Sequence, residues 1–250
     1  MPRAPAAYRR LTEVPPRVGA MTTEDWLADP QYREAVGDLL GALAYGELTA
    51  FMRLAADADV SPTQPLKASV AALAVGEFRH YEMLVARLSE MGIDPEQAMA
   101  PFVAAVDAFH ERTRPSTWLE GLVKAYVGDG IATDFYREIA AYVDPSTRDL
   151  VHSAMQDVGQ AEFVVKVVRE AIKTDPKIAG RLALWGRRLV GEALSQAQQV
   201  AVERDALSSL LVGGVGAPDR PSADLAELGR MFARLTDEHT RRMGRLGLAA

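Results

Sequence analysis

Along most of the chain, apolar positions recur every three or four residues, the period of a helix with one buried face. Asp29-Pro30 opens the first long run, with proline at the helix start, where its missing N–H costs nothing. Its inward line reads Val36, Leu40, Leu43, Glu47, Phe51 and Leu54, and the run ends near Asp57. A second run, opened by Ser61-Pro62 or Thr63 and ended by Gly92, carries Leu66, Val70, Leu73, Leu84 and Leu88 on one face. Asp94-Pro95-Glu96-Gln97 has the form of a capping box. It leads a shorter helix with Met99, Phe102, Val106 and Phe109, read as a crossover. Pro115-Ser116 begins a third long helix, with Leu122, Tyr126, Ile131, Phe135 and Ile139. A fourth is predicted from Thr147 to about Lys173, with Leu150, Ala154, Asp157, Ala161, Val164 and Val168 inward. Asp175-Pro176 starts a fifth, to about Leu211; a glycine-rich loop through Gly213, Gly214 and Gly216 precedes a last helix, Ala223 to Leu246. No stretch alternates like a strand. The expectation is an all-α protein: a flexible arm (1–28), a four-helix bundle with a crossover helix (29–173), and two additional C-terminal helices packed on it (174–250).

The inward faces are interrupted at similar depth. Glu47, Glu77, Asp129 and Asp157 each place a carboxylate near the middle of a long helix, and His80 and Gln160 follow two of them three residues on. Residues three apart share a helix face, and burying such groups unpaired costs several kcal/mol. A bundle that holds two iron or manganese ions is built this way, with one acid from each of two helices and Glu-x-x-His from each of the other two. In the third helix Asp134 competes with Asp129: Asp129 aligns with Leu122 and Tyr126, Asp134 with Val127 and Ile131. In the fourth, Glu162 could reach the site if the helix rotates or bulges. Gly128 and Gly130 flank Asp129, and two glycines inside a helix cost about 1 kcal/mol each relative to alanine. Close helix approach, or a bulge beside a site, would account for them. Each polar residue alone also has an ordinary structural reading, such as an ion pair or a hydrogen-bonded core histidine. Their coincidence across four helices is the signal. Tyr45, Tyr81, Tyr126 and Tyr136 fall near the same depth, either packing or donating to carboxylates. His110 is expected at a helix C-terminus, favoured by the dipole. His239 is expected in solvent or at an interface.

Composition narrows the chemistry. The 250 residues contain no cysteine, which excludes disulfides, thiolate metal sites and a cysteine nucleophile. A metal would have to be held by Glu, Asp and His. The formal net charge of −6 disfavours a large nucleic-acid surface. No segment reaches 18 uncharged apolar residues, so no membrane partner is expected. The proline-rich N-terminus lacks the apolar core of a signal peptide, which makes a cytoplasmic location the expectation.

Several local stretches resemble a known group. Tyr45-Gly46-Glu47-Leu48, Gly76-Glu77-Phe78-Arg79-His80, Trp118 through Tyr126, Asp134-Phe135-Tyr136-Arg137-Glu138 and Gly159-Gln160-Ala161-Glu162-Phe163 are similar to actinobacterial ferritin-like proteins related to the tRNA hydroxylase MiaE. The resemblance covers about Pro30 to Leu211. It implies a ferritin-like fold, iron binding and O2 chemistry, as in MiaE, a non-haem di-iron monooxygenase that hydroxylates an isopentenyl group on tRNA. The departure is at position 160, where acid-x-x-His is expected and Asp157-Val158-Gly159-Gln160 stands. A glutamine carbonyl is a poorer ligand than imidazole.

The leading reading is therefore a di-iron hydroxylase of unknown substrate. Glu47, Glu77, His80, Asp129 and Asp157 would be its ligands, and Gln160 or Glu162 would complete the set. Two iron ions, one ion, manganese and no metal at all stay open. The competing reading is a helical scaffold that kept the fold and lost the chemistry, acting through its surface. A homodimer is expected on frequency alone. For tRNA or a small-molecule substrate, arginines of the arm (Arg3, Arg9, Arg10, Arg17) and of the later helices (Arg181, Arg187, Arg188, Arg241, Arg242, Arg245) could form a phosphate stripe; a solvated helix surface explains them equally well.

Overall fold

The computed structural model of the chain describes residues 22–155, 160–212 and 224–250. Every regular element among them is helical. Short polar side chains set the helix starts. Thr22 forms a capping box with Asp25 ahead of α1 (Thr23–Leu27), and Asp29 accepts from the Gln31 and Tyr32 amides to open α2 (Pro30–Asp59). Thr63 caps α3 (Gln64–Glu90), which Gly92 closes in a left-handed conformation, φ 65°. The crossover is α4 (Pro95–Met99), a 3-10 turn at Ala100–Phe102 and α5 (Val103–Arg112). Pro101 lies in that turn, where it cannot donate to an α-helical ladder. Then follow α6 (Trp118–Ala140), α7 (Pro145–Ala154), α8 (Gln160–Thr174), α9 (Ile178–Glu203), α10 (Asp205–Val212) and α11 (Leu225–Leu246).

Helices α2 and α3 pack along their length. Helix α6 lies against α2, α7 and α8 on the bundle side and carries α9 and α11 outside. The result is an all-α, ferritin-like bundle with a crossover helix and extra C-terminal helices. The crossover sits tightly on α2: a side chain at Gly41 would run into the backbone carbonyl of Ala98. Helix α2 is also long and apolar enough to cross a membrane by length and composition. In the fold it is the central core helix, with Asp38 and Glu47 buried along it.

Two apolar cores fill the bundle. One gathers Tyr32, Leu39, Leu40 and Leu43 of α2 with Leu84 and Leu88 of α3, Ile139 of α6 and Val151 of α7. The other gathers Leu54 with Val70 and Leu73, Leu122 and Val127, Val164 and Val168, and Leu182, Leu189 and Met243 from the added helices. On α2, α3 and α6 the gap between the cores falls at Glu47, at Glu77 and His80, and at Asp129 to Asp134.

The predicted fourth and fifth helices are each divided. Helix α7 ends at Ala154, and Met155 leaves helical geometry at φ −101°, ψ 20°. Helix α8 begins at Gln160. The fifth breaks at Arg204 (φ −124°, ψ 81°), whose guanidinium grips Asp38 of α2 in a two-pronged ion pair at 2.9 and 2.5 Å. Asp38 is 5% exposed, so the pair lets α10 fold back over α2 while neutralising a buried charge. Asp144 plays a comparable part at the start of α7. Fully buried, it accepts from Tyr32 Oη, Thr147 Oγ1 and Thr23 Oγ1 at 2.9, 2.6 and 3.0 Å, and these bonds hold its carboxyl below the usual range despite burial.

Removing one member of a buried ion pair leaves the other uncompensated. Arg204→Ala is expected to lower stability by about 3 kcal/mol, read as a shift in urea midpoint, while Arg204→Ala with Asp38→Leu recovers most of it. Equal losses in the single and double variants would show that the pair does not position α10.

Candidate metal centre

The middle of the bundle brings three predicted residues together. Glu47 from α2 and Glu77 and His80 from α3 each offer a ligand atom, and these atoms all lie within 4.8 Å of one another. Glu47 and Glu77 are 6% and 4% exposed. His80 Nδ1 is 3.4 Å from Glu47 Oε2 and 3.7 Å from Glu77 Oε2, ion-pair distances rather than well-formed hydrogen bonds. Glu47 Oε2 is left buried with no hydrogen-bond partner.

The electrostatics follow from the crowding. Burial pushes the Glu47 carboxyl well above the carboxylate range; His80 opposes this, and the charges of Glu77 and Asp129 reinforce it. The two glutamates, Glu47 foremost, raise the His80 imidazole to about 10 against the cost of its burial. At neutral pH His80 therefore holds a proton that the unfolded chain would largely release. Two carboxylate oxygens and one imidazole nitrogen, deprived of full hydrogen bonding, fit a divalent cation that would displace the His80 proton.

The other predicted residues are placed differently. Asp129 is exposed on the wall of a cavity of about 200 Å³ that also touches Glu77 and His80, and its charge is felt at Glu47. Asp134 lines the same cavity but is engaged by Arg242 of α11 in a tight ion pair. Of the two aspartates left open by the sequence, Asp134 is thus tied to α11 through Arg242. Glu162 is exposed, whereas its neighbour Ala161 faces the cavity. Asp157 lies outside the described residues; Gln160 is the first residue of α8, and its side chain is likewise not described.

The glycines beside Asp129 have distinct roles. A side chain at Gly130 would occupy the place of the Arg242 guanidinium, so this glycine admits an arginine rather than a closer helix. Gly128 has ordinary room, with Phe109 at 4.0 Å from the position of an added Cβ. The sequence expectation of tight helix approach is corrected accordingly. Among the tyrosines, Tyr126 lines the cavity, Tyr45 donates to Asp107 at 2.9 Å, and the Tyr136 phenol is held protonated by burial and by the Glu47 charge.

Two histidine expectations hold only in part: His110 does lie in the last turn of α5 and His239 in α11, but their surroundings differ. His110 is not a dipole-stabilised cation: burial, with Lys124 and Arg53 nearby, depresses its imidazole to about 3, and Nε2 contacts Thr49 Oγ1 at 3.3 Å. His239 is 5% exposed, not solvated. What the sequence reading missed is Arg242 as a wall of the site. The glycine pair was its only signal, and nothing in the chain indicates which residue would use that space.

The profile of one protein family, the ferritin-like domain of actinomycetes, matches residues 30–214. The chain belongs to that family. The match covers α2 through α10 and so includes the three clustered ligands, while α11 with Arg242 lies beyond it. No curated protein matches the chain.

A base whose folded pKa is raised gives stability that is complete below its unfolded pKa and is lost as pH rises toward the folded value. For His80 that window runs from about 6.5 to about 10. The raised Glu47 carboxyl acts in the same sense. Metal-free protein is therefore expected to lose stability between pH 6.5 and 8, by on the order of 1 kcal/mol per pH unit. Above that, Lys124, lowered to about 8, begins to act oppositely. Denaturant titrations at several pH values check this, and His80→Gln should flatten the slope; an unchanged slope in that variant would remove His80 as its source.

Proposed function

We propose that this chain is a non-haem iron oxidoreductase that hydroxylates a C–H bond with O2, the chemistry expected from a relationship of its family to the MiaE hydroxylase. The observation that carries the reading is the buried Glu47–Glu77–His80 cluster with an unpartnered carboxylate oxygen at its centre. These three side chains would hold the first ion, with Asp129 as a further acid on the cavity wall whose charge reaches Glu47. Bound iron would supply the activation of O2. The protein's own contribution would be to hold Glu47 of α2 against Glu77 and His80 of α3, to flank them with two apolar cores, and to leave a cavity beside them for substrate. Uptake of the cation requires His80 to release its proton, so affinity rises with pH.

A second ion would draw on Asp129, Asp157 and Gln160. Among the described residues, Asp134 is paired to Arg242 and Glu162 is exposed, which supports a reading with one ion over one with two. The tRNA substrate transfers less well than the chemistry. Arg181, Arg188, Arg241 and Arg242 are turned to Glu120, the Arg112 carbonyl, Glu238 and Asp134, which interrupts a phosphate stripe.

One observation favours a second reading, a scaffold without metal: His80 and Arg242 already supply positive charge inside the acidic layer. Such a protein would act through its surface as a homodimer, and Leu184, Val202 and Phe232 on α9 and α11 are the exposed apolar residues available for it.

Elemental analysis of protein made with iron in the medium, and purified without chelator, separates the two. One to two irons per chain are expected, lost in Glu77→Ala, with affinity for added Fe2+ or Mn2+ rising about tenfold per pH unit for each proton displaced between pH 6 and 8. No metal in wild type, with unaltered folding of the variant, would leave the scaffold reading standing.

A further inference from the structure

The cavity beside the metal cluster is chemically divided. Its inner wall is Glu77 and His80, buried or nearly so. Its outer part carries four arginines, Arg137 of α6 and Arg241, Arg242 and Arg245 of α11, interspersed with the carboxylates of Asp129, Asp134 and Glu238. Arg241 is neutralised by Glu238 at 2.6 Å. The remaining three are not fully used. Arg242 binds Asp134 through Nη2 and leaves Nη1 buried with no hydrogen-bond partner. Arg137 donates to the Met155 carbonyl at 3.2 Å, and among the described residues neither Arg137 nor Arg245 makes a carboxylate ion pair. Helix geometry aligns them: Arg242 and Arg245 are three apart on α11, and Arg137 follows Asp134 by three on α6.

A buried guanidinium nitrogen without an acceptor is costly, and guanidinium matches carboxylate and phosphate oxygens in geometry and charge. The volume, about 200 Å³, is below that of a drug-sized site, which suits a small molecule. We propose that the outer half of this cavity binds a small organic anion, with its carboxylate or phosphate held by Arg137, Arg242 and Arg245 and the remainder of the molecule directed at Glu77 and His80. As the identity of the oxidised substrate this rests on the function proposed above; as an anion site it stands by itself. The anionic group serves as a handle whose binding energy orients the uncharged end toward the cluster.

The test uses the full chain, with succinate and inorganic phosphate as separate probes in isothermal titration. Wild type is compared with Arg137→Gln, Arg245→Gln and the double variant, and metal content is measured on the same samples. Arg242 is left intact because it holds Asp134. Saturable binding of at least one probe is expected, about tenfold weaker or more in the double variant, the loss of one charge-assisted hydrogen bond, with metal content unchanged. Succinate without phosphate would identify a carboxylate site, and the reverse a phosphate site. Absence of saturable binding in wild type, or equal affinity in the double variant, overturns the proposal, as does binding of a tRNA that neither probe competes. Arginine-dependent binding in protein devoid of metal would retain the anion site and remove the iron chemistry.

Discussion

Burying two carboxylates and an imidazole between two apolar cores is the constraint on which the rest of the bundle turns. Glu47, Glu77 and His80 occupy positions where Leu or Ala would pack more favourably. Like charges in a low-dielectric interior repel, so the folded chain holds a proton on His80 between the glutamates, and burial raises the Glu47 carboxyl. A divalent cation would answer the same problem more completely. The layer is thus an unstable element in an otherwise apolar interior, and the stability that permits it has to reside above and below.

It resides in well-packed cores and in a few saturated polar anchors. Asp144 joins the starts of α1, α2 and α7 through hydroxyl donors, and Asp38 with Arg204 fastens α10 to α2. Both acids are buried, yet both are fully answered by donors or an opposite charge. The contrast with Glu47 Oε2 is informative. Where a buried carboxylate serves only the fold, this chain satisfies it; at the cluster, it leaves ligand capacity unspent.

Helix α11 changes the character of the site. Through Gly130 it brings a guanidinium onto α6, neutralises Asp134 and presents further arginines to the cavity. A four-helix bundle by itself would offer an acidic slot. With α11 in place, the outer part of the slot acquires arginines interspersed with its carboxylates.

The helical class, most helix boundaries and the depth of the polar layer were legible in the sequence because they depend on local physics: the 3.6 period, the caps at Asp29, Thr63 and Asp94, and the glycine stop at Gly92. Glu77 and His80 could be paired from spacing alone, since both lie on one helix. Other features were decided only by tertiary structure. The breaks at Met155 and Arg204 occur in stretches whose apolar period continues, and at Arg204 the distant partner Asp38 accompanies the turn. The engagement of Asp134 depended on Arg242, 108 residues away. The burial of His110 and His239 depended on neighbours from other helices. Periodicity says which face of a helix is inward; it does not say which side chain from another helix will be waiting there.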